Sequence, residues 1–333
     1  MQFKKIDELR PGMRLAKPIY NKNGVLLFER DSKINQQGID NISNFGLIGL
    51  FILEPAEPCP PMSPEDIEFE RFQTVNVFSI MDEMGKIMSQ GKTAKLPQIV
   101  ANIVKNYGHQ ENKINFNQNL RSEEDAKYKH ALNVAILAAL MCNKLNVKVD
   151  ERLDIVTAAL LKGIVPVNMV ENIFSSSPNI KRYITQAGTI LDAAEAGYMT
   201  GEVKLMTGGK ILAVASLFDD KTAMKIEETP ESEVSAMRYL LDKPAVFEKN
   251  VVMALANSIN ILTAGVCVEL NTGKKALVIS ENSSDMFRPM VLSFERNEMM
   301  DLSNRNLYGD IEIKDIMKTM DNRHVVDMSL LNS

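Results

Sequence analysis

Tyr128-Lys-His-Ala-Leu-Asn-Val-Ala-Ile-Leu-Ala-Ala-Leu-Met-Cys-Asn-Lys-Leu145 reads as a helix, and it stands in the middle of a succession of others. Before it, Phe72, Val75, Phe78, Ile80, Met81, Met84 and Met88 recur at intervals that mostly suit one helical face, and Pro97 opens a helix over Leu96 to Tyr107. After it come Asp150 to Leu161, Ile180 to Ala196, Gly209 to Phe218, Pro230 to Asp242 and Phe247 to Leu262, separated by short polar joints. The centre of the chain is therefore expected to be an all-α bundle.

The pattern changes at both ends of this bundle. Residues 1–54 read as a small β-rich module: Arg14 to Tyr20 and Val25 to Phe28 flank the turn Asn21-Lys-Asn-Gly24, Gly46 to Leu53 is a third apolar run, and residues 34–45 look helical. About 55 residues is near the lower limit for independent folding, so this module is expected to lean on the rest of the chain. Residues 55–66 read as a semi-rigid linker, because Pro55, Pro58, Pro60, Pro61 and Pro64 deny the backbone helical and ladder hydrogen bonds. Residues 67–263 form the helical domain. Residues 264–333 begin with strand patterns over Val266 to Leu270, Ala276 to Ser280 and Met290 to Phe294, then give way to a polar, helix-like tail.

The 333 residues are 45% hydrophobic and 24% charged, the balance of a globular protein, and their number favours two units over one core. With 38 Lys and Arg against 43 Asp and Glu, the net charge is -5, so generic nucleic-acid binding is not expected. No uncharged apolar stretch reaches the ~18 to 20 residues that span a bilayer, and the start lacks an apolar targeting segment, so a cytoplasmic protein without membrane insertion is expected. Cys59, Cys142 and Cys267 are widely spaced with no CxxC and read as reduced thiols. The histidines are only His109, His130 and His324, which limits any mechanism built on clustered metal ligands. There is no GxxxxGK[ST] loop, no GxGxxG after a strand, no HExxH and no GxSxG elbow.

Tyr128-Lys-His-Ala-Leu-Asn-Val134, followed about thirty residues later by Ala158-Ala-Leu-Leu-Lys-Gly-Ile-Val-Pro166, resembles the HD-GYP family of cyclic di-GMP phosphodiesterases. Gly208-Gly-Lys-Ile-Leu-Ala-Val-Ala-Ser-Leu-Phe-Asp219 resembles that family's later helix. Leu9-Arg-Pro-Gly-Met13 with the Asn21 to Gly24 turn looks like a β module often found before such domains. The resemblance runs from residue 1 to about 295 and rests on order and spacing. It implies an HD-domain-like helical fold, and for intact members a hydroxide bridging two or three metal ions held by histidines and aspartates.

Departures from the family pattern fall on its metal ligands. His130 matches the first ligand position, but Lys162 and Gly163 stand where a His-Asp pair is usual, and Pro166 replaces the lysine that follows. Tyr183 aligns with the next histidine and Ser216 with the later aspartate; the paired histidines and the Gly-Tyr-Pro signature are missing, with Ala196-Gly-Tyr-Met-Thr-Gly201 at most a worn remnant. An ammonium at Lys162 opposes divalent cations, so no metal, no cofactor and no catalytic residue is expected. The bland reading of His130 is a helix histidine satisfied by a polar neighbour. Lys162 either ends its helix with its stem reaching water, or, with Lys181 and Arg182, binds a phosphate directly. Gly208 and Gly209 open a helix and are a weak anion-binding signal. Methionines such as Met81, Met84, Met88, Met299 and Met300 fill core or form an adaptable contact surface.

The function expected first is a catalytically inactive, HD-GYP-like pseudoenzyme acting in signalling by binding protein partners. The alternative is a non-hydrolysing receptor for cyclic di-GMP or a related nucleotide, and the third reading is an active metal phosphodiesterase. Strands exposed around residues 266–294 would also allow homodimerisation.

Overall fold

The computed structural model describes residues 2–44, 49–53, 62–197, 204–225, 230–295 and 297–317. The first elements are β1 (Gln2–Lys5), β2 (Arg14–Leu15), β3 (Ile19–Tyr20), β4 (Leu26–Phe28), α1 (Gln36–Asn44) and β5 (Gly49–Leu53). β5 lies between β1 and β2, both antiparallel to it, while β3 and β4 pair with each other. The single strand expected over Arg14 to Tyr20 is thus two strands in two sheets. The break falls at Lys17-Pro18, where proline has no N–H to give a ladder. Leu9, Leu15, Ile19, Ile34, Ile42 and Ile52 close a core of their own. This module rests on the first helix of the bundle through the Lys17–Glu70 ion pair at 2.7 Å and an Arg71 hydrogen bond to the Gly24 carbonyl at 3.1 Å.

Of the proline run, residues 54–61 lie outside the described residues. Its last member, Pro64, is the first residue of helix α2 (Pro64–Gln90), where a missing N–H costs nothing; Ser63 caps it by accepting from the Asp66 N–H at 3.1 Å. The bundle continues with α3 (Leu96–Tyr107), α4 (Ala126–Lys144), α5 (Val149–Leu161), α6 (Val167–Ile173), α7 (Pro178–Ala196), α8 (Thr207–Thr222), α9 (Glu233–Leu241) and α10 (Lys249–Ala256). Every residue of α4 from Ala131 to Cys142 is buried, so α4 is the axis of the bundle, packed against α2, α3, α5, α8 and α10. The last helix is shorter than Phe247 to Leu262, because the chain leaves it after Ala256 and Ile259 bridges to Ile114.

The C-terminal unit adds β6 (Cys267–Leu270), β7 (Lys275–Ser280), β8 (Met290–Ser293), β9 (Glu298–Asp301), the turn of helix α11 (Arg305–Tyr308) and β10 (Ile313–Ile316). They form an antiparallel sheet in the order β10-β6-β7-β8-β9. Two expectations change here. The segment after residue 294 is not simply a helix-like tail, since it supplies two strands as well as α11; and the strands between residues 266 and 294 are not sheet edges, since β9 and β10 flank them on either side. Residues 318–333, including His324, lie outside the described residues. The architecture is mainly α with small β units at both ends, and no helix of the described residues is long and apolar enough to cross a membrane.

Candidate functional site

Three elements meet at Asp219: α8, which carries it, α4, which carries His130 and Asn133 one turn apart, and the extended segment 117–122 that leads into α4. Asp219 has no exposure to water. A carboxylate there is tolerable only if hydrogen-bonded and paired, and both conditions are met. Arg121 Nη2 lies 2.6 Å from each carboxylate oxygen. Oδ1 also accepts from Gln118 Nε2 and Asn133 Nδ2, each at 2.9 Å, and Oδ2 lies 2.7 Å from His130 Nδ1. Burial alone would raise the Asp219 carboxyl, but the His130 hydrogen bond and the Arg121 charge outweigh it and hold it at about 2.

The amides extend the network inward. Gln118 Oε1 accepts from Asn133 at 2.9 Å, Asn133 Oδ1 accepts from Gln73 at 3.0 Å, and Asn119 donates to Gln73 at 2.9 Å. Backbone bonds fix the segment that carries Arg121: its N–H donates to the Met224 carbonyl at 2.8 Å, and Lys129 Nζ donates to the Leu120 carbonyl at 2.6 Å. Toward solvent, His130 Nδ1 also lies 3.2 Å from Asp220 Oδ1, and the Asp220 side chain is well exposed. Lys162 sits near the same acid: burial lowers its amine below the ordinary value, and the negative charge of Asp220 partly offsets the shift.

His130, Asp219 and Asp220 present one ligand atom each within 4.8 Å, the one group of described residues that could hold a metal. They do not fit the multinuclear site that the family resemblance implies. Five donor contacts already occupy the Asp219 oxygens, the Arg121 guanidinium stands against that carboxylate with the Lys162 amine near Asp220, and a single imidazole serves both carboxylates.

The positions aligned with family ligands have separate fates. Lys162 caps the C-terminus of α5, and Gly163 follows at φ 76, a left-handed turn that favours glycine. Pro166 starts α6. Tyr183 is fully buried, its hydroxyl donating to Glu151 Oε1 at 3.2 Å. Gly208 allows that ring in: a Cβ there would lie 2.6 Å from Tyr183 ring atoms and 2.8 Å from Ile155 Cγ1, and one on Gly209 would meet Gln186 at 2.8 Å, so these glycines have a packing reason. Ser216 is fully buried on α8, its Oγ without a hydrogen-bond partner. Lys181 pairs with Glu171 at 2.6 Å and Arg182 is exposed on α7.

Sequence reading found His130, Lys162 and Ser216 but assigned nothing to Asp219, Arg121, Gln118 or Asn133. Asp219 ends a quoted motif, and Asn133 is an amide inside an otherwise apolar helix three residues from His130; both were available signals. A cavity of about 740 Å³ lined by Phe247, Lys249, Phe287 and Arg305 contains none of these residues. Comparison with protein-family models, with curated proteins and with solved structures gives no match for this chain.

Proposed function

We propose that this chain is a catalytically inactive, HD-GYP-like pseudoenzyme that works in cytoplasmic signalling by binding protein partners, through its β module or an exposed bundle face. The observation that carries this reading is the saturation of Asp219. The carboxylate nearest His130 is engaged by an arginine, two amides and the histidine itself, so its oxygens are occupied by donors and not open to a metal ion. Hydrolysis of a phosphodiester with a metal-activated nucleophile needs the opposite arrangement, open carboxylates around an empty cation site.

The alternative, a non-hydrolysing receptor for cyclic di-GMP or a related nucleotide, draws on Lys162, whose amine is partly desolvated and therefore a stronger partner for a phosphate than a solvated one. The pairing of Lys181 with Glu171 and the charge of Asp220 beside Lys162 both weigh against it. Calorimetric titration of the purified chain with cyclic di-GMP, with and without Mn²⁺, separates the readings when the recovered nucleotide is analysed for cleavage. The scaffold reading expects neither heat nor cleavage. Saturable heat without cleavage makes the chain a receptor, and Mn²⁺-dependent cleavage overturns both.

A further inference from the structure

The cavity of about 740 Å³ lies where the corner between α9 and α10 meets the β7–β8 loop and the start of α11. Small-molecule sites ordinarily fall between about 300 and 1,000 Å³, so this one has the size for a ligand. Phe247, Met253, Met286 and Phe287 give it an apolar, partly aromatic lining; Phe247 belongs to the main core and the other three pack against it. Two rings beside two thioethers suit a flat aromatic body, because rings and thioether sulfurs both make favourable contacts with aromatic groups. The wall is built in advance. Asn282 Nδ2 donates to the Arg288 carbonyl at 3.0 Å, and its Oδ1 accepts from the Ser284 N–H at 2.9 Å. The Arg288 guanidinium is buried and donates to the carbonyls of Leu302 at 3.0 Å, Tyr308 at 3.3 Å and Gly309 at 3.1 Å, which ties this loop to the segment carrying Ser303 and Arg305. The Arg238 guanidinium lies over the Phe287 ring, 5.0 Å from its centre. A cavity whose walls are already fixed loses little entropy on filling.

Charge selects the sign of the ligand. The lining carries three cations, Lys249, Arg288 and Arg305, against the one carboxylate of Asp285, in a chain whose net charge is -5. Arg305 is answered by Asp285 at 3.2 Å and Arg288 by Glu312 at 3.8 Å. Lys249, exposed at the start of α10, has no side-chain hydrogen bond or ion pair among the described residues. An ammonium beside an apolar hollow leaves one unmatched positive charge at the edge of an aromatic surface.

We propose that this cavity binds a small aromatic anion, a ring system bearing one carboxylate or sulfonate, with its body against Phe247 and Phe287 and its head group beside Lys249. The site is separate from the Asp219 network and does not depend on the pseudoenzyme reading. Anilinonaphthalene sulfonate, an aromatic ring system with a single sulfonate, is the probe, and its fluorescence is followed as the full-length chain is titrated at neutral pH. Saturable binding of about one probe per chain is expected. Lys249→Glu reverses the unmatched charge, and Ser284→Trp puts a ring into the lining from a side chain that makes no hydrogen bond among the described residues. Each is expected to raise the probe's Kd about tenfold or more, with the helical circular dichroism unchanged. Lys105→Glu, the same charge change on α3 outside the lining, is expected to leave the Kd as it was. Binding that does not saturate, binding that neither cavity variant weakens, or an equal loss in Lys105→Glu would overturn the proposal.

Discussion

Replacing Arg121 by methionine removes the fixed cation from a carboxylate that has no access to water, while keeping most of the side-chain volume. Asp219 would retain His130, Gln118 and Asn133 but lose both 2.6 Å contacts of Nη2. Breaking a buried pair from one side costs about 3 to 5 kcal/mol, because the remaining charge is left uncompensated. For a domain of this size that corresponds to a fall in melting temperature of roughly 10 °C. The loss carries a pH signature. In the native chain the His130 hydrogen bond and then the Arg121 charge outweigh burial and hold the Asp219 carboxyl at about 2 instead of 3.8, so their joint stabilisation is fully present above 3.8 and is lost as pH falls through about 2. The difference of 1.8 is worth about 2 kcal/mol. The gap between Arg121→Met and the unaltered chain is therefore expected to be full at neutral pH and to narrow on acidification below pH 3.8. Urea unfolding followed by circular dichroism between pH 7 and the acid limit measures it. Adding Asp219→Asn should recover part of the loss, with a coupling energy of about 2 kcal/mol. An Arg121→Met protein within about 1 kcal/mol of the original at neutral pH, or a gap independent of pH, would refute the claim that Arg121 neutralises a buried carboxylate.

Other expectations follow from the same residues. Ser216→Ala removes a buried hydroxyl without a partner and should be neutral or stabilising by up to about 1 kcal/mol, whereas Ser216→Asp, which places a carboxylate in a site closed to water, should destabilise; thermal melts compare the three. Gly208→Ala places a methyl group against the Tyr183 ring and should cost about 1 to 3 kcal/mol by overpacking, and less in a Tyr183→Leu background where the ring is gone. Lys162→Met removes an amine whose charged form is disfavoured by burial. Its folded value is lowered, so the penalty is present at neutral pH and relieved as pH rises through that value; the variant is expected to melt about 2 °C higher at neutral pH, with the gain shrinking in alkali.

Much of the helical order was legible because its punctuation is local. α3 runs from Leu96 to Tyr107 as read, with Pro97 opening it and Gly108 following it. The second half of the C-terminal sheet was not legible: β10 is four residues, Ile-Lys-Asp-Ile, with a register shift that breaks the two-residue alternation, and β9 is largely polar or exposed. Of the site, His130 and the replaced ligand positions could be read from the resemblance. Arg121 and Gln118 could not, because they lie in an aperiodic polar segment that sequence assigns to solvent and that burial by α4 and α8 converts into an internal wall. Their role follows from tertiary proximity to Asp219, about one hundred residues away in the chain.

The most direct test of the proposal that this chain is a catalytically inactive signalling protein is the turnover of cyclic di-GMP by the purified full-length chain in excess Mn²⁺, followed chromatographically over hours. The account expects no more linear or mononucleotide product than in buffer alone, and the same null result for His130→Ala. Product that accumulates catalytically, disappears with EDTA and is lost in His130→Ala would contradict it.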